Sequence, residues 1–228
     1  MGFVYSPSNM DTFRKCPKRF EGQSITGEIK WKASKAKNRG TEVHNALERA
    51  VLEGIDKMPL VDGIDAAFVT QKVNDVRAAE KLGASILVEH AMCMRRDKTS
   101  AGWWDDDAYL RARADMLILP GNTGIPPLVV DFKTGKKWDE DAFQLRVETL
   151  LVHHLYGANR VGYSYWYVDT GDVCSGVVDY SGGYQDVADV LLLLDTMDKA
   201  IAASAFMPTR NKFCKWCDFF QTPKCSLR

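Results

Sequence analysis

The sequence predicts a mixed α/β domain with a small cysteine-rich cap, and three observations carry that expectation. Helical periodicity flanks a block of short, β-rich apolar runs bounded by glycine and proline. That block resumes as a second pair of strands after one intervening helix. Beyond Met207 the periodicity stops, and Cys214, Cys217 and Cys225 follow closely.

The elements are justified in chain order. Residues 40–54, GTEVHNALERAVLEG, place Val43, Leu47, Ala50 and Val51 at helical spacing with Gly54 as a stop. A second helix is expected over 62–83 and a strand over 86–94. YLRARADMLIL (109–119) and PLVVDFK (127–133) read as two strands joined by a Pro- and Gly-rich turn. A helix should run from Asp139 to about Tyr156, with acids 139–141 at its positive end. GYSYWYV (162–168) and VCSGVVDY (173–180) form a hairpin around DTGD. The last helix, about 184–204, carries Val187, Val190, Leu191, Leu194, Met197 and Ile201 on one face. Three parts result: an N-terminal segment 1–30 belonging to the cap, a core 31–205, and a cysteine-rich cap 206–228.

Composition narrows the function. With 228 residues, 46% hydrophobic and 26% charged, the chain has enough apolar material for one substantial core. Lys plus Arg equals Asp plus Glu at 30 each, so attraction for a polyanion must come from local clustering. No apolar run reaches membrane-span length, and MGFVYSPSNM lacks the pattern of a secretory signal. A cytoplasmic, reducing setting is therefore expected, in which clustered cysteines bind metal rather than form disulfides.

The chemistry concentrates in LVVDFKTG (128–135). Alternation puts Asp131 and Lys133 on one face of a strand and Phe132 on the other. Buried unpaired charge is costly, so DFK by itself reads equally as a surface ion pair or as a site. Asp115, an acid entering the apolar run of ARADMLIL, tips that balance. Two carboxylates on neighbouring strands can hold a hard divalent cation and leave positions for water and phosphate oxygen. A lysine two residues beyond one of them can orient or deprotonate that water. Glu89 on the 86–94 strand could complete such a site and is not assigned to it.

Asp115 followed by Asp131-Phe132-Lys133 resembles the signature of PD-(D/E)XK nucleases. VVDFKTG is similar to the branch containing the RecB nuclease domain and the CRISPR-associated iron–sulfur exonucleases. GTEVHNALE resembles that branch's upstream helix motif, which implies His44 as a further metal ligand. QLRVETLL resembles its following helix motif, which implies Gln144 near the catalytic lysine and the nucleic-acid backbone. Without the resemblance, His44 reads as a core histidine, and Gln144 and Glu148 read as one solvated helical row. Ala112 stands where the pattern has glycine, and Glu148 where it often has an aromatic.

The resemblance implies a restriction-endonuclease-like core, a central mixed sheet flanked by helices. It also implies a DNA nuclease using Mg²⁺ or Mn²⁺, held by His44, Asp115, Asp131 and the Phe132 carbonyl. Single-stranded DNA or DNA ends would be the substrate, degraded exonucleolytically. A structure-selective or nicking endonuclease, and a non-catalytic DNA-binding or assembly subunit stapled by metal, are the alternatives. Repair, recombination, phage DNA processing and CRISPR adaptation stay open as pathways, as do homo-oligomers and protein partners.

FCKWCDFFQTPKC supplies the CxxC spacing that lets two thiolates grip one metal, with Cys225 as a third. The CPxxF context of Cys16 resembles the family's N-terminal cluster ligand and makes it the fourth. The resemblance implies a [4Fe–4S] cluster; four thiolates also suit structural Zn²⁺. Cys93 and Cys174 stand among apolar neighbours as core residues. KWKASKAKNRG (30–40) carries Lys30, Lys32, Lys35, Lys37 and Arg39 without an acid, and Trp31 could stack on a base. This run, with the basic tail from Arg210, is the expected DNA-binding surface.

Overall fold

The computed structural model describes residues 2–30, 35–121, 125–135, 142–220 and 222–227, with backbone alone at 35–37. Two helices precede the first one expected. Ser6 caps α1 (Pro7–Lys15) in a capping box with Asn9, and Pro7 sits at its first turn. After Cys16 the chain forms α2 (Pro17–Phe20) and a π-turn, Glu21–Ile25. Then α3 (Lys35–Glu53) buries the expected stripe of Val43, Leu47, Ala50 and Val51 before Gly54 turns the chain at φ 114°. Asp65 caps α4 (Ala66–Lys81) through the Phe68 N–H at 3.0 Å.

The strands are β1 (Ser85–Arg95), β2 (Ala108–Leu119), β3 (Leu128–Lys133), β4 (Arg160–Tyr167) and β5 (Asp172–Asp179), with α5 (Phe143–Tyr156) crossing between β3 and β4 and α6 (Ala188–Ala202) last. The expected start of α5 at Asp139 lies outside the described residues; its helical hydrogen bonding begins at Phe143, behind a left-handed Ala142. Strand order is β1-β2-β3-β4-β5, antiparallel except for the parallel β3–β4 pair that α5 makes possible. One face packs Leu110, Val129, Leu150, Leu151, Val161 and Val190 into a core with α1, α5 and α6. The other packs Met116, Val130, Phe132 and Trp166 against α3 and α4.

Two irregularities in this sheet open the site. The β2–β3 ladder has its last pair at Met116↔Val130, so the next residues on each strand, Asp115 and Asp131, lie where the strands part. Within β1, Glu89 adopts φ 48°, a conformation uncommon for a non-glycine residue. The β1–β2 register is the same on both sides of it, with Val88↔Met116 and His90↔Ala114 paired. The sheet face nevertheless switches there: Ala114 and Met92 pack toward α5, whereas Val88 and Met116 pack toward α3 and α4.

The 206–227 segment folds back onto the N-terminal segment. Asn211 Nδ2 donates to the Lys15 carbonyl at 2.8 Å, and Lys224 pairs with Glu28 at 2.6 Å. Phe219, Ile29 and Cys225 form a small apolar cluster. The Phe219 ring lies over Gly22, where an added Cβ would stand 2.5 Å from ring carbons and 2.9 Å from Ile29 Cδ1. Gly22→Ala should therefore destabilise the docked tail by about 1–3 kcal/mol. Limited proteolysis should release the 206–228 segment sooner than in the parent; unchanged digestion would show that the ring has room to shift.

A second expectation concerns acid. Partial burial, then the neighbouring His153 and Lys98, push His154 down from 6.5 to about 4. The folded state thus resists a proton that the unfolded chain accepts, and stability falls as pH drops from about 6.5 towards 4. Because the ring is partly solvated, the loss should be about 1 kcal/mol, well below the unscreened value. Chemical denaturation of a His154→Gln variant across that range should show a correspondingly shallower decline.

Candidate active site

Past the last β2–β3 pair, side chains take over from the backbone ladder. Asp115 Oδ2 accepts the Phe132 N–H at 2.6 Å, so the acid fills the place of a strand carbonyl. Its other oxygen, Oδ1, lies 3.1 Å from Nδ1 of His44, which α3 brings over the opposite sheet face. Nε2 of the same ring contacts the Phe132 carbonyl at 2.8 Å, and the ring meets the Phe132 ring edge-on. Burial alone would lower the His44 pKa, but the Asp115 hydrogen bond and charge prevail and raise it. The imidazole, Asp115 and the Phe132 carbonyl are thus aimed at one small volume.

Asp131 and Lys133 share the face turned toward α5. Asp131 is 3% exposed and takes the Lys133 ammonium at 2.8 Å. Gln144, the second residue of α5, spans the pair: its Oε1 accepts from Lys133 at 3.2 Å, and its Nε2 donates to Asp131 and, at 3.1 Å, to Glu148. Burial pushes Asp131 up to about 6; Lys133 opposes that shift and Asp115 adds to it. Tyr165 on β4 places its ring 4.9 Å from the Lys133 nitrogen.

Two acids not assigned from sequence join this arrangement. Glu148 is 1% exposed, and its Oε2 has no hydrogen-bond partner among the described residues. Burial, then the Asp131 charge, raise its pKa well above the usual carboxylate range. Its helical row with Gln144 was visible, but its burial was not, because it depends on β3 and β4 lying beneath α5. Glu89 is the other: ligand atoms of His44, Glu89 and Asp115 all lie within 4.8 Å of one another. Among the described residues this is the one such set of three His, Cys, Asp or Glu groups, and Asp131 is not in it. One imidazole with hard carboxylate oxygens suits a divalent cation of the Mg²⁺ or Mn²⁺ type.

An open groove of about 940 Å³ leads from Lys133, Gln144 and Glu148. Its cations are Arg14, Lys15, Arg111, Arg113 and Lys212. Only part of the 30–40 run lies among the described residues. Lys30 is exposed, residues 31–34 lie outside the described residues, and so do the side chains of Lys35 and Lys37. That covers Trp31 and Lys32. Arg39 grips Asp169 with both terminal nitrogens, at 2.8 and 2.9 Å, and the Asp62 carbonyl at 3.0 Å. Asp169 also accepts the Gly135 N–H at 2.6 Å, so Arg39 braces the turn after Lys133.

Cys16 and Cys214 each take a backbone N–H from the 209–211 segment. The Thr209 N–H points at Cys16 Sγ at 3.5 Å, and the Asn211 N–H at Cys214 Sγ at 3.3 Å. Cys217 and Cys225 pack in the cluster with Ile29 and Phe219. Among the described residues the four thiols do not form a second closely gathered ligand set.

The profile of the PD-(D/E)XK nuclease superfamily matches residues 4–222. The solved crystal structure of SSO0001 is similar in fold, with TM-score 0.52 at 15% sequence identity, covering 98% of this chain and 87% of that one. None of the curated proteins matches the chain by sequence.

Proposed function

The chain belongs to the PD-(D/E)XK nuclease superfamily, and we propose that it hydrolyses DNA phosphodiesters with Mg²⁺ or Mn²⁺, removing nucleotides from single strands or ends. The observation that carries this is the parting of β2 and β3, which leaves Asp115 and Asp131 past their last pair with Lys133 2.8 Å from Asp131. His44, Asp115, Asp131 and the Phe132 carbonyl are the residues that would hold the cation. When bound, it polarises the phosphate and lowers the pKa of attached water.

The chain's own groups do the rest. The Lys133 ammonium orients the attacking water and offsets charge gathering on the phosphate. Gln144 fixes that ammonium through its carbonyl oxygen, while its amide nitrogen holds Asp131 and Glu148. Arg111, Arg113 and Lys212 line the groove beside Lys133 and are suited to strand phosphates. The exonucleolytic reading draws support from the resemblance in VVDFKTG, GTEVHNALE and QLRVETLL.

End-labelled single- and double-stranded DNA, with circular single strands and an EDTA control, test the whole reading. Linear DNA should be shortened only with Mg²⁺ or Mn²⁺, and circles should survive. Cut circles would replace exonuclease by endonuclease; binding without any cutting would favour an assembly subunit.

Cys16, Cys214, Cys217 and Cys225 are proposed to hold a [4Fe–4S] cluster. Backbone N–H groups aimed at two of the sulfurs suit thiolate ligands. Anaerobically purified protein should be brown with broad visible absorption; colourless protein with stoichiometric zinc would replace the cluster by Zn²⁺.

A further inference from the structure

We infer that Glu89 is an additional ligand of the catalytic cation, completing a His44–Glu89–Asp115 donor set that the nuclease signature does not include. The inference rests on the reading of His44 and Asp115 as metal ligands.

The geometry separates two carboxylates that the sequence would treat alike. Asp131 already has both oxygens engaged inside the fold, one by Gln144 Nε2 and the other by Lys133 Nζ at 2.8 Å. Glu89 has no comparably close partner among the described residues. Its one ion pair there is with Arg113, at 3.7 Å, longer than a hydrogen bond, and its side chain is 36% exposed. Yet one of its oxygens lies within 4.8 Å of ligand atoms on both His44 and Asp115.

The backbone brings this about. At Glu89 the chain turns to φ 48° in mid-strand, and the strand exchanges faces there. Asp115 is the residue opposite, between the Val88↔Met116 and His90↔Ala114 pairs. The two acids thus lie side by side on neighbouring strands, with the His44 ring beside them. Two like charges so close repel, and a divalent cation between them converts that repulsion into attraction. Added to His44, Asp115, Asp131 and the Phe132 carbonyl, Glu89 would make a fifth protein donor and leave one position of a six-coordinate shell for water or a phosphate oxygen.

The test is direct binding of Mn²⁺ to the EDTA-stripped full chain, without DNA, followed by the free-Mn²⁺ electron paramagnetic resonance signal. Glu89→Gln keeps the size and removes the charge; Asp115→Asn does the same for the partner ligand. We expect each to weaken Mn²⁺ binding at least tenfold. Weakening by Asp115→Asn alone would overturn the role of Glu89 while the nuclease site stands. Weakening by neither would overturn both. The unmodified protein gives a second readout, independent of whether a variant folds. Fe²⁺ with ascorbate, seated at the same ligands, should cleave the backbone near residues 44, 89 and 115. Cuts near 44 and 115 without one at 88–90 would exclude Glu89 from the shell.

Discussion

Replacing Lys133 with alanine is expected to lower the rate of DNA cleavage by about 10³-fold or more while DNA affinity stays within a few-fold. The lysine nitrogen meets Asp131 at 2.8 Å and Gln144 at 3.2 Å, with the Tyr165 ring 4.9 Å away. These hold its position before substrate arrives, so its charge meets the reacting phosphate without reorganisation. Strand affinity should survive because Arg111, Arg113 and Lys212 line the groove independently. The fold should tolerate the change better than loss of a buried ion-pair partner usually permits. Burial already raises the Asp131 pKa against the opposing Lys133 charge, and loss of that charge raises it further, so a proton can replace the lost countercharge. Single-turnover cleavage and an equilibrium binding assay on one preparation separate the two effects. Turnover within tenfold of the parent would sink the assignment of Lys133.

Asp115 is expected to show the next largest effect, and its two oxygens allow two variants to divide it. Asp115→Asn keeps an acceptor for the Phe132 N–H but removes the charge facing His44 and Glu89. Cleavage should fall by about 10²–10³-fold with stability little changed. Asp115→Ala also strands the Phe132 N–H at the strand parting, adding a stability loss of about 1–3 kcal/mol. Thermal denaturation in EDTA, alongside Mn²⁺-dependent cleavage, distinguishes them. Equal stability of the two variants would mean that the Phe132 N–H finds another partner.

Much of this was readable in advance, for physical reasons. Val43, Leu47, Ala50 and Val51 repeat with the helical period because one face of α3 is buried, so periodicity found that helix. Strand alternation puts Asp131 and Lys133 together because β3, though parted from β2 there, stays in regular register with β4 through Lys133. The same rule fails at Glu89, whose left-handed turn changes the face without changing the register. No periodicity signals such a turn. The α1 helix escaped because its one-turn cap, Ser6 with Asn9, lacks the Glu or Gln usual in a capping box. For one member of the basic run at 30–40, Arg39, the sequence shows the charge but not the partner. Arg39 has its charge absorbed by Asp169, a residue on the β4–β5 turn. Arg111 and Arg113 were overlooked because two arginines alternating on a strand do not form a run.

The groove wall joins parts of the chain made at very different times. Lys15 and Asn211, whose bond ties α1 to the tail, are 196 positions apart in sequence. Lys212 and Phe213 line the groove together with Arg14 and Lys15, and the Lys15 ammonium lies 5.6 Å from the Phe213 ring. During translation the sheet and its carboxylates are assembled before the tail's part of that wall exists, and closing so long a loop is slow. A growing polypeptide therefore carries its cutting groups, with Arg111 and Arg113 beside them, before Lys212 completes the groove, so full nucleolytic competence should arrive as a late event in the birth of each molecule.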